Sequence, residues 1–483
     1  MNGACATLAS VTDELSPPPP SARSTPALTA SEIARVGGGR LERDAGKPVR
    51  GAAVDSRLVR PGNLFVALSG ERTDGHDHLV AAVEAGASAV LVSRPGALPA
   101  GLGDVSVIRV GSPLPALHAL AAAWRRRFTP LTVGITGSLA KTSTKEAVAD
   151  VLATRLCTLR NSGNENNEIG LPLTVLRLGA EHQALVLEMG MYVEGEIAEL
   201  VRIGRPSIGV VTSVLPVHLS RIGTIEAIEA EKGRLVEGLP PDGTAVLNAD
   251  DPRVRRMASR TVARVVTYGF AADADVGAEE VEPGGVEGMR FVVRTASWRR
   301  AMAIPTLGRH AVHNALAAVA VGIAAGLRPD EIERGLADTV APPHRGELIR
   351  LGAVTIVDDS YNAAPASMLA ALDVLAGLPG RRIAVLGEML ELGAGHDAGH
   401  RTVGQAAARV ADLLVVVGDG AGGIADGALE GGLESHRVHR VADRAAALEA
   451  LRPRLVAGDV VLVKASNGIG LHLLVDALRA DLA

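Results

Sequence analysis

Among the 483 residues, the segment with the clearest chemical potential is Gly134-Ile-Thr-Gly-Ser-Leu-Ala-Lys-Thr-Ser-Thr-Lys-Glu146, which joins an aliphatic run to a helix-like one. A strand–loop–helix of this kind holds oxyanions with backbone N–H groups and a helix N-terminus. Lys141 would meet the β- and γ-phosphates of a nucleotide, and the Thr142 hydroxyl would bind Mg²⁺. The strict phosphate-loop pattern asks for glycine at positions 135 and 140, where this chain has Ile135 and Ala140, with Gly134 and Gly137 close by. The loop is therefore a variant, and an ordinary strand–turn–helix stays open as a reading of this segment alone.

Three further residues fall near the expected ends of strands or helices. Glu188 directly follows the aliphatic run Ala184–Leu187, where open α/β sheets place their ligands, and its carboxylate suits Mg²⁺. His218 lies in Leu215-Pro-Val-His-Leu-Ser220, just after another such run, and Lys232 in Glu229-Ala-Glu-Lys-Gly-Arg234. Singly, each reads first as a solvated or packing residue; only a common position on one sheet edge raises them. Other motifs carry less. Gly418-Asp-Gly-Ala-Gly-Gly423 fits G-x-G-x-x-G, but the glycine-rich stretch after it, from Ile424 to Leu433, makes a poor helix. His396 and His400 share a helix face without an evident third metal ligand, and His76-Asp77-His78 reads as a loop near substrate.

These residues need a scaffold. Composition favours layered α/β: 47% of residues are hydrophobic but only 2% aromatic, so the core must be built from Ala, Val, Leu and Ile. At roughly 150 residues per domain, the length suits three domains. Strands are expected at Leu64–Leu68 and Ala89–Val92, then at Leu131–Ile135, Ala184–Leu187, Ile208–Thr212 and Thr244–Leu247. A third set lies at Val354–Val357, Ile383–Leu386, Leu413–Val417 and Val460–Val463. Helices are expected at His78–Ala85, Leu114–Phe128, Lys141–Leu156 and Val312–Gly326, and from Pro365, where a missing N–H costs nothing. Met368, Leu372 and Leu375 fall on one stripe of that last helix. The Gly- and Glu-rich stretch 271–305 reads as a small antiparallel insertion.

Composition also excludes partners. Forty-nine Lys and Arg against 54 Asp and Glu leave a net charge of −5, which disfavours nucleic acid. Cys5 and Cys157 are too few for a disulfide framework or a four-thiolate zinc site, so a reduced, cytoplasmic setting is the default. Mean hydropathy is positive, at +0.22. Yet the longest nearly apolar stretch, Ala315 to Leu327, is 13 residues, too short to span a bilayer. The N-terminus has no basic-then-apolar leader and carries the tetraproline Pro17–Pro20 in a polar, disordered tail.

From about Leu28 onward the chain resembles the bacterial Mur ligases. The resemblance rests on Asp55-Ser-Arg-Leu-Val-Arg-Pro-Gly-Asn-Leu-Phe-Val-Ala-Leu68, on Asn161-Ser-Gly-Asn-Glu-Asn-Asn-Glu-Ile-Gly-Leu-Pro172 and on Glu188-Met-Gly190. Two later segments, Asp358-Asp-Ser-Tyr-Asn362 and Ile383-Ala-Val-Leu-Gly-Glu-Met-Leu-Glu-Leu-Gly393, point to the branch that adds D-alanyl-D-alanine. The resemblance implies an α/β chain of three domains after a tail of residues 1–26. These are an N-terminal UDP-substrate domain (27–128), a central ATP-binding domain with a phosphate-loop-type, mostly parallel sheet (129–340), and a C-terminal Rossmann-like ligase domain (341–483). It implies an ATP-dependent amide ligation joining D-alanyl-D-alanine to UDP-N-acetylmuramoyl-tripeptide through an acyl phosphate, by a cytoplasmic monomer in peptidoglycan precursor synthesis.

The resemblance also implies roles. Lys141, Lys232 and His218 are the catalytic set, with Lys232 matching a lysine carbamylated in the family. Thr142 and Glu188 hold one Mg²⁺ and His218 a second. Gly137, Ser138, Lys141, Thr142 and Ser143 take the nucleotide phosphates, and Asn314, Arg345, Asp359 and Tyr361 surround the nucleotide. Ser56 and Arg57 match the uridine-binding region, Asn166 and Asn167 the region near the UDP-sugar, and Asn362 lies with the substrate residues. Four sites depart from the family pattern: Ala140 and Ala311 replace glycine and asparagine, Asn362-Ala-Ala-Pro-Ala-Ser367 lacks one amide and one carboxylate, and Asn467 replaces arginine. Two readings follow, an active ligase and a degenerate ligase-like protein that binds nucleotide or substrate with little turnover.

Overall fold

A computed structural model describes residues 26–70, 73–94, 101–216 and 222–482. Among these residues the strands form three sheets, each flanked by helices, as the aliphatic runs alternating with helical segments require.

The first sheet has the order Arg40–Arg43, Ser106–Arg109, Ala89–Val92, Leu64–Val66, Ala52–Ala53, antiparallel only at its first pair. Leu64–Val66 and Ala89–Val92 are buried throughout, which is why they read as unbroken hydrophobic runs. The expected helix at 78–85 begins differently. Gly75–His78 forms a 3₁₀ turn that continues into helix Leu79–Glu84. His76 is buried in that turn, 2.6 Å from Asp74 through Nδ1 and accepting the Ser93 N–H on Nε2 at 3.0 Å. Its hydrogen bonds hold the fold, and the loop expected there is a capped turn.

The central sheet runs Thr158–Arg160, Ala184–Glu188, Leu131–Thr136, Ile208–Val211, Thr244–Asn248, Arg264–Gly269, Val276–Pro283, Met289–Arg294, Arg299–Ile304. It is parallel from Thr158–Arg160 to Val276–Pro283. The last two strands then extend it antiparallel. The stretch 271–305 is therefore an edge of the main sheet, because Val276 and Gly277 pair in parallel with Tyr268 and Gly269. Helix Arg309–Ala324 packs across one face with Ala315–Val321 all buried, which accounts for its apolar sequence. Among the described residues no helix is long and apolar enough to cross a membrane.

The third sheet runs Glu347–Leu351, Val354–Asp358, Asp459–Lys464, Arg381–Gly387, Leu413–Val417, Val438–Val441, parallel except for the first hairpin. Helix Pro365–Ala376 starts at its proline and buries Met368, Leu372 and Leu375. The segment after Leu413–Val417 is helical from Gly422 to Glu430, contrary to the expectation from its glycines. Gly427 lies so close to the Arg401 carbonyl that a Cβ would sit 2.1 Å from it, so glycine there serves close helix packing.

The hydrophobic cores divide unevenly. One core joins the first sheet to the central one, uniting Leu28, Ile33, Leu117 and Leu120 with Leu171, Leu187, Leu235 and Leu247. Trp124 donates to the Leu178 carbonyl at 2.9 Å across that junction. Buried Arg125 donates to the Gly204 and Phe128 carbonyls and to Thr132 Oγ1 at 2.7–2.9 Å. The third sheet has its own cores on its two faces.

Candidate active site

The loop after strand Leu131–Thr136 is built from backbone outward. A Cβ on Gly137 would sit 1.8 Å from Thr212 Oγ1, so only glycine lets the chain pass. The Ser138 and Leu139 N–H groups donate to the Ser213 carbonyl (2.8 Å) and hydroxyl (3.0 Å). Ser138 Oγ in turn accepts from the Leu215 N–H at 2.8 Å. Ala140 adopts φ +66°, ψ 0°, the left-handed region in which a Cβ costs about 1–2 kcal/mol. Helix Lys141–Ala153 starts there without a side-chain cap, so the N–H groups of its first turn have no intrahelical acceptor and face an incoming anion. Lys141 Nζ donates to the Gly137 carbonyl at 2.8 Å. Burial lowers its pKa, and the facing Glu188 charge opposes that shift.

Glu188 ends strand Ala184–Glu188, opposite Ile135 of the loop-bearing strand, and is 1% exposed. Asn161 clamps its backbone, accepting from its N–H at 2.9 Å and donating to its carbonyl at 3.2 Å. Asn166 Nδ2 donates to Oε1 at 2.7 Å. Oε2 is buried and has no hydrogen-bond partner among the described residues. A buried carboxylate oxygen without a donor is costly unless a cation completes it, so Glu188 with neighbouring Thr142 suits Mg²⁺.

Lys232 lies on helix Ile225–Glu237, 3% exposed. Burial first, and then the Lys141 charge, push its pKa well below the ordinary lysine value; Glu231 opposes this. An amine held neutral in this way is the form that reacts with carbon dioxide. His218 lies outside the described residues.

The opposite wall comes from the third sheet. Lys464, last residue of strand Asp459–Lys464 and 2% exposed, donates from Nζ to Asp359 Oδ2 at 2.5 Å and to the Asn362 carbonyl at 2.9 Å. The Arg345 guanidinium stacks on the Tyr361 ring at 4.0 Å. Asn314, on helix Arg309–Ala324, accepts from Thr144 Oγ1 at 3.3 Å. His310, one turn earlier, is lowered in pKa by burial, with Asp359 opposing.

A cavity of about 420 Å³ lies between these walls. It brings together Ser138, Lys141, Thr142, Ser143, Glu188, Asn166, Asn167, Asn314, Arg345, Asp359, Tyr361 and Asn362. Gly137 and Lys232 stand outside its lining, the first packed against Thr212 beneath the loop and the second near enough to Lys141 for the two charges to interact. Lys464, His310, Asn164 and Tyr192 line it as well. Asn164 falls within the Asn161–Pro172 segment of the resemblance, His310 and Lys464 stand close to the departures at Ala311 and Asn467, and Tyr192 is one of only nine aromatic residues and follows closely on Glu188.

A second cavity, of about 610 Å³, lies between the first and central sheets and is lined by Asp55, Arg57, Arg60, Asn63, Glu165 and Arg177 among others. Arg57 is held by Asp55 Oδ2 at 2.6 Å, and Ser56 beside it is outside the lining. The loop Asn161–Glu168 separates the two cavities: Glu165 faces one, and Asn164, Asn166 and Asn167 the other.

The motifs set aside are structural. His400 is buried with both ring nitrogens engaged, Nε2 accepting the Met389 N–H at 2.9 Å and Nδ1 donating to the His396 carbonyl at 2.8 Å, so it has no nitrogen left to share a metal with His396. Gly420 packs against the Glu388 carboxylate.

A strand–loop–helix anion cradle beside a buried acid on the neighbouring strand end, facing a second wall from the third sheet, defines an ATP-utilising α/β protein of the phosphate-loop type. The chain belongs to the Mur ligase family. Family models match residues 48–125 (Mur ligase family, catalytic domain), 135–322 (Mur ligase middle domain) and 344–467 (Mur ligase, glutamate ligase domain). It is 40% identical to the UDP-N-acetylmuramoyl-tripeptide–D-alanyl-D-alanine ligase of Mycobacterium tuberculosis H37Rv, covering 94% of this chain and 98% of that one. The Escherichia coli K12 ligase of the same name is 36% identical, over 94% and 99%. Among solved structures, MurF from Acinetobacter baumannii superposes with a TM-score of 0.84 at 28% identity, over 94% and 99% of the two chains. The ADP complex of MurF ligase from Thermotoga maritima gives 0.79 at 28%, over 90% and 98%.

Proposed function

We propose that this chain is an ATP-dependent ligase that joins D-alanyl-D-alanine to UDP-N-acetylmuramoyl-tripeptide. The observation that carries this reading is the single cavity in which Lys141, Thr142 and Glu188 face Arg345, Asp359 and Tyr361. The phosphate loop and the Lys141 ammonium hold the triphosphate, while Asn314, Arg345, Asp359 and Tyr361 hold the nucleoside end. The UDP moiety occupies the cavity lined by Arg57, and Asn166 and Asn167 pass the peptide to the phosphates; residues 27–128 thus take the UDP end, while 129–340 and 341–483 share the nucleotide between them.

The tripeptide carboxylate attacks the γ-phosphorus, the bond to the β-phosphate oxygen breaks, and ADP leaves an acyl phosphate. The dipeptide amine then attacks the acyl carbon, expels inorganic phosphate and loses a proton. Such chemistry asks little covalent help and much charge neutralisation. Mg²⁺, held by Thr142 and Glu188 with a second ion at His218, supplies that neutralisation when bound. Lys232, carbamylated, adds a carboxylate-like group near Lys141. We place the reaction in the cytoplasm and assign it to a monomer. The comparisons lend no support to the degenerate reading.

The test is phosphate release with ATP, Mg²⁺, UDP-N-acetylmuramoyl-tripeptide and D-alanyl-D-alanine. Release should require all four. Release independent of the dipeptide, or none above background, defeats the proposal.

A further inference from the structure

The phosphate loop is shaped less by its own residues than by a frame of strand-end segments beneath it. Its Ser138 and Leu139 lock onto Ser213, and Leu139 offers its carbonyl to Thr212 Oγ1 at 2.6 Å. The backbone of that segment is held in turn from strand Thr244–Asn248. Asn248 Nδ2 donates to the Thr212 carbonyl at 2.7 Å, and Asp251 Oδ2 accepts from the Val214 N–H at 2.7 Å.

One further residue fixes Asn248. His313, on helix Arg309–Ala324, lies with Nε2 3.0 Å from Asn248 Oδ1 and 3.3 Å from Asp250 Oδ2. The amide orientation is settled by its neighbours, since the Asp250 N–H donates to Oδ1 at 2.8 Å while Nδ2 points to a carbonyl. With two acceptors before it, Nε2 carries the proton. The imidazole is wedged against Tyr268 and Phe270, ring centroids 4.9 and 5.9 Å away. His313 does not line the cavity, whereas its neighbour Asn314 does.

We infer that His313 is a positioning residue for ATP, acting through Asn248 and Thr212 to hold the phosphate loop. The inference rests on the reading of that loop as the triphosphate site. It makes the nucleotide-facing helix and the phosphate loop parts of one hydrogen-bonded frame: His313 donates to Asn248, Asn248 donates to the Thr212 carbonyl, and Thr212 donates to Leu139. A relaxed frame lets the loop N–H groups drift from the phosphates, and groups that act by preorganisation lose their effect with small displacements.

The test compares His313→Phe, which keeps a ring against Tyr268 but has no donor, with His313→Gln, which restores one. Both are set beside the wild type with ATP and D-alanyl-D-alanine varied separately. His313→Phe should raise the KM for ATP about 5- to 30-fold, the effect of one buried hydrogen bond, and leave the KM for D-alanyl-D-alanine within about twofold. His313→Gln should recover most of the loss. Thr212→Val, which cuts the last link, should raise the same constant, and the double variant should lose less than the product of the two single losses.

A His313→Phe enzyme with an unchanged KM for ATP overturns the inference. So does an equal loss for both substrates, a glutamine variant no better than phenylalanine, or multiplicative losses in the double variant. A wild type that releases no phosphate from ATP defeats the ligase reading instead, and is told apart because it needs no variant.

Discussion

Asn166 donates to one oxygen of Glu188 at 2.7 Å and leaves the other buried without a donor among the described residues. The amide orients the carboxylate, and the open oxygen keeps an affinity for cations. Glu188→Gln should fold as well as the wild type, because glutamine relieves a buried charge, yet lose roughly 10²–10³-fold in kcat. Titration of ADP with Mg²⁺ and without it checks the cause. The wild type should bind ADP more tightly with the metal, and the variant equally in both; a variant that keeps the metal effect removes Glu188 from the ion.

Ala140 is the substitution with a structural consequence that a single measurement can read. At φ +66° its Cβ costs about 1–2 kcal/mol, whereas glycine loosens the unfolded chain by roughly 0.4–1 kcal/mol. Ala140→Gly should therefore change stability by between about 0 and +1.6 kcal/mol. Because Ala140 lines the cavity beside Lys141, the change should also lower the KM for ATP roughly two- to fivefold. A fall in Tm of several degrees, or a higher KM, would contradict this account.

Lys232 predicts a pH dependence. Its folded pKa lies well below the ordinary 10.5, so between those values the unfolded chain binds the extra proton and stability rises with pH. The lysine thus works against folding most strongly at the acid end of that window. Lys232→Met should melt above the wild type near about pH 7, and the gap should close toward about pH 10. Bicarbonate should raise the wild-type Tm and activity and leave the variant unmoved. A gap that stays constant with pH would show that the buried amine is not the cause.

Arg125 welds the first sheet to the central one through three hydrogen bonds made by a buried guanidinium. Burial lowers its pKa to about 10, still well above neutral, so it remains charged. Arg125→Met leaves two carbonyls and a hydroxyl without their donor and should cost about 2–4 kcal/mol in urea unfolding. A loss under about 1 kcal/mol would mean that the shared hydrophobic core alone joins the two sheets.

Much of this chain is legible from residue order. Strands Ala89–Val92 and Leu413–Val417 lie where the aliphatic runs end, and helix Pro365–Ala376 begins at its proline, because local pattern and burial agree there. The anion loop announces itself by residue types at short spacing. Where glycines were read as helix breakers, at Gly422–Glu430, close packing against Arg401 overrode propensity. The stretch 271–305 is antiparallel as its sequence suggests, yet it extends the main sheet instead of standing apart, since strand pairing is set by partners far along the chain.

What the residues determined by themselves was the class of layered α/β chain, its three sets of strands and the kinds of side chain available for phosphate and metal chemistry. What only tertiary structure decided was which of them meet. Lys464 and Asp359 are distant in sequence yet 2.5 Å apart, and Glu165 faces a different cavity from its neighbours Asn164 and Asn166. The sign of φ at Ala140 and the donor that fixes Asn248 likewise depend on neighbours from other strands and helices. Short-range pattern governs dihedral preference and amphipathic faces, but contact between strand ends follows from sheet order, which no local pattern encodes.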